Sequence, residues 1–440
     1  MENLSALPCI ILADFFPLRS DSPQPADKSR KSRLRGKILS VTMRKRRFFG
    51  YVMSFCRNNH GRATRPHPYP YLPMPKDQNS YLHDLLEFAV QSRASDIHMR
   101  ENKEVQLRID SNLVQVDTVT TTEILAKFCE DIVPPGRMEI YERTGDLDFA
   151  WQEPNVGRFR VNLHKQRGNM GITMRWVKSK PPTVAEAGLP EVLKRIADNS
   201  NGIIFITGTT GSGKSTTMAA MLDYINTTYN RHVITIEDPI EYTFEDKKSF
   251  FEQREVGLDA ETFESALVHA LRQDPDIIVV GEMRNRVTFE TALAAAETGH
   301  MVITTLHTKD APQSINRILD MFTIEERDSI RKSLSDVVKA IICQRLAKKA
   351  SGKGVVPITE IMTNAPIVKK LIFDNRIDKL EQAIEANQEA GMMTFNQCLL
   401  EHYNNGDISE EKALELSDNP QALRMNFKGI FLTDSGGIIQ

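Results

Sequence analysis

Cysteine is scarce. The 440 residues contain five (Cys9, Cys56, Cys129, Cys343 and Cys398), with no C-x-x-C pair among them. Such scatter argues against a thiolate zinc site or a disulfide framework and suits a reducing cytoplasm. Long apolar runs are missing too. None approaches the roughly 20 residues a membrane-spanning helix needs, so the chain reads as having no transmembrane segment. A secretory leader is not apparent either, because Glu2 stands where such a leader is basic and Asp14 interrupts its short apolar run. Wholesale disorder is excluded by 40% hydrophobic and 26% charged residues, the proportions of an ordinary globular protein. The length predicts two or three domains.

What is present is unevenly spread. Residues 1–80 carry 15 Lys+Arg against 5 Asp+Glu, a balance of +10, which leaves −12 on the remainder. An acidic body argues against nucleic acid as the principal partner. Residues 1–76 hold 9 of the 21 prolines and lack sustained apolar periodicity. They read as a tail. Its Lys28–Arg47 segment fits an arm for anionic lipid or nucleic acid, a disordered leader, or a start placed upstream of a true one near Met74.

Ordered pattern begins next. Leu82, Leu85, Leu86 and Ala89 recur at helical spacing from Tyr81. Later, Phe159, Val161 and Leu163 alternate with Arg158, Arg160 and Asn162, while Ile172, Met174 and Trp176 alternate with Thr173 and Arg175. With Gly168-Asn169 and Gly171 between them, an antiparallel pair is expected. A small α+β domain over residues 77–178 follows, then a Pro-containing linker over 179–186. Buried-type runs at Ile203–Ile206, His232–Ile236, Ile277–Val280 and Met301–Leu306 are separated by helix-length segments. That alternation predicts an α/β core over 187–365, with a parallel sheet covered on both faces. Residues 366–440 read as helical.

The strongest chemical signal is Gly208-Thr209-Thr210-Gly211-Ser212-Gly213-Lys214-Ser215, a full G-x-x-x-x-G-K-[ST] match between a strand and a helix-capable run. Its glycines let successive N–H groups turn inward around phosphate oxygens. Lys214 supplies positive charge to the β- and γ-phosphates, and Ser215 gives a hydroxyl to Mg²⁺. The loop binds a nucleoside triphosphate, ATP being the expected one.

In open parallel sheets, ligands sit outside the carboxyl ends of the strands. The other strand-like runs should therefore end in reactive residues, and they do: Glu237-Asp238, Gly281-Glu282 and His307. Glu282 is the candidate to orient and deprotonate the attacking water. Glu237 and Asp238, with Ser215, are the candidates to hold Mg²⁺ directly or through water, and which acid touches the metal stays open. His307 could sense the γ-phosphate, while His300 fits either a functional role or the capping of helix carbonyls. Arg158, Arg160 and Arg175 share one face of the small domain's strands. Like charges there favour an anionic partner, such as ATP on a neighbouring subunit, with a solvated basic face as the alternative.

These motifs together resemble a family. Gly208–Thr216, Ile234–Glu241, Arg272–Arg284 and Ala296–His300 through Thr305–Thr308 are similar to the four signature boxes of secretion-superfamily ATPases. Their order looks most like the twitching-motility retraction ATPases of type IV pili, the PilT/PilU-like branch. The resemblance spans about residues 78–425. It implies a homohexameric, Mg²⁺-dependent ATPase, cytoplasmic and peripheral at the inner face of the membrane. Each subunit would join a PAS-like N-terminal domain to a RecA-like core, with Arg160 and Arg175 completing a neighbour's site. Implied partners are an inner-membrane pilus platform protein and a paralogous retraction ATPase. Assembly and type II secretion relatives commonly carry a four-cysteine zinc module, which has no counterpart here. Thr209, Asn285 and Pro366–Ile372 depart from the branch's usual residues, and Gly391–Phe395 looks closer to the accessory, PilU-like subgroup.

Overall fold

A computed structural model describes residues 81–109, 112–177, 180–432 and 438–439. The readings of residues 1–76 lie outside them.

The first described element is helix α1 (Tyr81–Gln91), and it buries Tyr81, Leu82, Leu85, Leu86 and Ala89, the face set by the helical spacing. Six strands follow: β1 (Asp96–Arg100), β2 (Lys103–Ile109), β3 (Asn112–Thr120), β4 (Asp146–Glu153), β5 (Gly157–Gln166) and β6 (Asn169–Val177). They form one antiparallel sheet in the order β3-β2-β1-β6-β5-β4. Helices α2 (Thr122–Ile132) and α3 (Met138–Thr144) interrupt the strand succession.

The expected pair is β5–β6, in which Arg160 faces Arg175 and Val161 faces Met174. Its turn is tighter than the glycines suggested. Arg167 and Gly168, with φ of 51° and 82°, make a two-residue connection, and Asn169 already belongs to β6. Strands β1 to β4 were not legible: β1 and β2 are short and rich in charged residues, and β3 and β4 mix polar or acidic residues among their buried positions. Phe159, Val161, Leu163, Ile172 and Met174 are fully buried and join α1 and Phe128 of α2 in one core.

The second sheet has seven strands: β7 (Gly202–Thr207), β8 (His232–Glu237), β9 (Phe250–Glu255), β10 (Ile277–Val280), β11 (Met301–Leu306), β12 (Val338–Lys348) and β13 (Val355–Thr363). Their order is β13-β12-β7-β11-β10-β8-β9. All neighbours are parallel except β12 and β13, which form an antiparallel hairpin. The four apolar runs are β7, β8, β10 and β11 at its centre. Alternate residues go to opposite faces: Ile203, Phe205, Ile234 and Val280 join one core, and Ile204, Ile206, Val233 and Val279 join the other. Burial on both sides is why these strands read as unbroken apolar runs.

The covering helices are α4 (Val192–Ala197), α5 (Lys214–Thr228), α6 (Phe263–Ala270), α7 (Arg286–Glu297), α8 (Ala311–Leu319) and α9 (Ile324–Val337). Beyond β13 come α10 (Pro366–Phe373), α11 (Leu380–Ala386), α12 (Phe395–Asn404), α13 (Glu410–Leu416) and α14 (Pro420–Asn426), with a short strand pair at 431–432 and 438–439. Leu380, Ile384, Leu399 and Leu423 share one hydrophobic cluster with β10 and β11, so the helical end packs on the core. The stretch read as a linker is also anchored. Val184 is 1% exposed within the second core, and Glu186 accepts from the Thr183 amide and hydroxyl.

Candidate active site

The Gly-rich loop leaves β7 at Gly208 and enters α5 at Lys214. Gly208, Gly211 and Gly213 have φ of 143°, 80° and 90°, angles that other residues adopt at a cost. Space is short as well: a Cβ on Gly213 would stand 2.7 Å from Gln344 Nε2, and one on Gly208 would press on the Gln344 carbonyl. Lys214 Nζ folds back over the loop, donating to the carbonyls of Gly208 at 2.8 Å and Thr209 at 3.2 Å. Burial pushes the lysine's pKa down, and the charges of Glu282 and Glu241 pull the other way.

This loop fits a phosphate chain. Ser212 Oγ is buried with no protein partner, the free amides opening α5 point the helix's positive end at the loop, and Lys214 adds a cation held over it.

Gln344 was not found from sequence. It lies on β12, 3% exposed, where its Nε2 donates to Ser212 O at 2.8 Å and its Oε1 accepts from Thr217 Oγ1. It therefore braces the loop from behind. Its only signal was a polar residue in an apolar strand. Tyr242 was missed likewise; its hydroxyl lies 3.1 Å from Thr216 Oγ1.

The strand-end residues do gather. Gly281 N donates to Ile236 O at 2.8 Å, and Thr305 Oγ1 donates to Gly281 O at 2.6 Å, which ties the ends of β8, β10 and β11 together. Space at 281 is tight, since a Cβ there would lie 3.3 Å from Glu237 Cα and 3.2 Å from Ile236 O. The next residue, Glu282, places Oε1 3.2 Å from His307 Nε2 and Oε2 2.8 Å from Arg284. Burial raises the Glu282 pKa, but the Arg284 hydrogen bond and the charges of Arg284, His307 and Lys214 outweigh it and leave the carboxyl below its usual range.

Glu237 and Asp238 part company. Glu237 is 7% exposed, and its carboxyl accepts from Thr235 Oγ1 at 2.7 Å and from the Glu241 amide and Gln253 at 3.4 Å. Burial dominates those bonds and pushes it up to about 7. Asp238 is exposed and adds its charge to the field around Arg284. Among the described residues no three His, Cys, Asp or Glu side chains form a metal cage. Mg²⁺ needs none when substrate phosphates and water supply most ligands. Ser215 would give the hydroxyl ligand there, with Glu237 and Asp238 the acids expected from sequence, while the acids whose charge reaches Lys214 are Glu282 and Glu241. His300, by contrast, sits with Nδ1 3.0 Å from Ala295 O at the end of α7, the capping arrangement.

Arg158, Arg160 and Arg175 each have an acid on their own chain. Arg158 donates to Glu255 at 2.9 Å, Arg160 stands 3.9 Å from Asp148, and Arg175 pairs with Asp96 at 2.8 Å. The expected repulsion between them is therefore largely answered within the subunit. Arg160 also lines a cavity of about 220 Å³ with Asp146, Asp148, Asp238 and Glu255. Arg175 keeps 66% of its side chain exposed.

A parallel α/β sheet with a phosphate loop at its first strand, and acids and an imidazole at the carboxyl ends of its neighbours, defines a P-loop ATPase core. The family model for type II/IV secretion system proteins matches residues 77–371, and the chain belongs to that family, within its type IV pilus retraction ATPase branch. It is 41% identical over 340 residues to the type IV pilus retractation ATPase PilT of Pseudomonas aeruginosa, covering 77% of this chain and 98% of that protein. Against the type IV pilus ATPase PilU of the same organism, identity is 35% over 345 residues, covering 78% and 90%. The crystal structure of the pilus retraction motor PilT with bound ADP superposes with a TM-score of 0.72 at 40% identity, over 77% of this chain and 97% of that one. Among the described residues no helix is long and apolar enough to cross a membrane.

Proposed function

We propose that this chain is a hexameric, Mg²⁺-dependent ATPase that powers type IV pilus retraction from the cytoplasmic face of the membrane, working on a pilus platform protein. The observation that carries the site assignment is Glu282, held ionised between Arg284 and His307 and within the field of Lys214. Lys214 and the loop amides bind the phosphate chain. Glu282 accepts a hydrogen bond from a water molecule and aims its oxygen at the γ-phosphorus. A P–O bond to water forms as the bond to the ADP oxygen breaks, and the water's proton leaves by way of the carboxylate. His307, touching the same carboxylate, is placed to register the loss of the γ-phosphoryl group. Mg²⁺, when bound, would neutralise phosphate charge.

A second reading is an accessory retraction ATPase that works beside a paralogue, favoured by the similarity to PilU. Deletion in the native host, scored for surface pili and for twitching, tests the proposal. A retraction motor leaves pili on the surface and abolishes movement; loss of the pili themselves would indicate an assembly motor instead. A turnover rate stimulated by DNA would revive a nucleic-acid translocase, which the acidic body argues against.

A further inference from the structure

On β13, an edge strand of the seven-stranded sheet, lies a buried acid that the chemistry above does not use. Glu360 of β13 is 4% exposed and faces Cys343 of β12. Its Oε1 accepts the backbone N–H of Ala311 at 2.8 Å. Ala311 is the first residue of α8 and is fully buried, so no water can take over that amide.

The segment between His307 and that amide is short and is tied down at Thr308 and Asp310. Thr308 Oγ1 lies 2.6 Å from Ser314 Oγ, which donates to Asp310 O at 2.7 Å. The Asp310 side chain in turn caps α8 by accepting the Gln313 amide at 2.7 Å. Residues 308–310 therefore move with the first turn of α8, and that turn is fixed to β13 through Glu360. His307 is the next residue upstream, with its Nε2 against Glu282.

We propose that Glu360 is a positioning residue for ATP hydrolysis, holding the first turn of α8 so that His307 stays against Glu282. The inference rests on the assignment of His307 and Glu282 to the reaction. Geometry carries it; the environment of Glu360 is consistent with a site built for an acceptor rather than for an ion pair. Burial pushes its carboxyl up to about 7, and the charges acting on it, Asp310 at the cap of α8 and Glu381 on α11, are both negative, with the Cys343 thiol beside it.

The test uses full-length protein with two substitutions at 360. Glu360→Leu keeps the volume and removes the acceptor, whereas Glu360→Gln keeps an acceptor oxygen. We expect the leucine variant to lose kcat about tenfold, the rate equivalent of one lost hydrogen bond to a buried amide. Its KM for ATP should stay within about twofold, because the loop is untouched. Glu360→Gln should keep kcat within about twofold. Combined with His307→Ala, Glu360→Leu should cost little beyond the single loss, since both act through one side chain. Hydrogen exchange of residues 307–314 should quicken in the leucine variant and not in the glutamine variant. If His307→Ala lowers kcat and Glu360→Leu leaves it at the wild-type rate, the positioning role is wrong and the site assignment stands. Losses that add fully in the double variant overturn it too. A wild-type rate in His307→Ala removes the assignment itself, and this inference with it.

Discussion

Glu237 and Glu282 end adjacent strands of one sheet, yet their surroundings move their ionisation in opposite directions. Glu282 has Arg284, His307 and Lys214 around it and is held ionised, while Glu237 has no cation beside it: burial, aided by the Glu241 charge, outweighs its neutral donors and pushes it up to about 7. Glu360 is pushed to about 7 for the same reason. A raised carboxyl keeps in the folded protein a proton that the unfolded chain has already released. Its contribution to stability is therefore full below the unfolded value of 4.5 and is lost as pH rises through about 7. We predict that Glu360→Gln gains stability relative to wild type between pH 5 and pH 8, read from urea unfolding midpoints. A difference that is flat or runs the other way would show that Glu360 ionises normally. Residue by residue, the sequence announced what covalent type and position announce: the loop lysine and the acids at strand ends. It did not announce Gln344, Glu360 or Tyr242. Their roles depend on contacts between positions 127 apart in sequence for Gln344 and Thr217, and 49 apart for Glu360 and Ala311.

At the scale of elements, strands buried on both faces were legible, since β7, β8, β10 and β11 need no polar positions. Edge and hairpin strands were not. β9 mixes charged residues into six positions, and β12 starts at the residue directly after α9, with no turn to mark the change. The small sheet showed only β5 and β6, two apolar–polar alternating runs joined by a glycine-containing turn. The β12–β13 hairpin is consequently the part of the site that sequence left blank, although it braces both the phosphate loop and the His307 segment. Gln344→Ala should weaken nucleotide binding roughly tenfold by freeing Ser212 O and Thr217 from their shared partner. Calorimetric titration with ADP checks this, and an unchanged affinity would mean that the loop holds its shape without the brace.

For the whole molecule, the open matter is where the arginines act. The family resemblance implied that Arg160 and Arg175 reach a neighbour's ATP, with a solvated basic face as the alternative, whereas the cavity beside Asp238 brings Arg160 to the core of its own chain. Mixing Arg160→Ala and Lys214→Ala proteins decides between these arrangements. Turnover returns in mixed rings if the arginine works in trans, and stays absent if each subunit needs both residues. The family match begins at residue 77, and we predict that a chain lacking residues 1–76 keeps its ATP turnover and its assembly state; loss of either would give the basic tail a part in the motor. The account as a whole stands or falls on Mg²⁺-dependent ATP turnover measured with molar mass by light scattering, for wild type and Glu282→Gln. It predicts a hexamer whose turnover falls at least about a hundredfold in the variant while nucleotide binding persists. Turnover undiminished in Glu282→Gln, or a wild-type chain that binds no nucleotide, would contradict it.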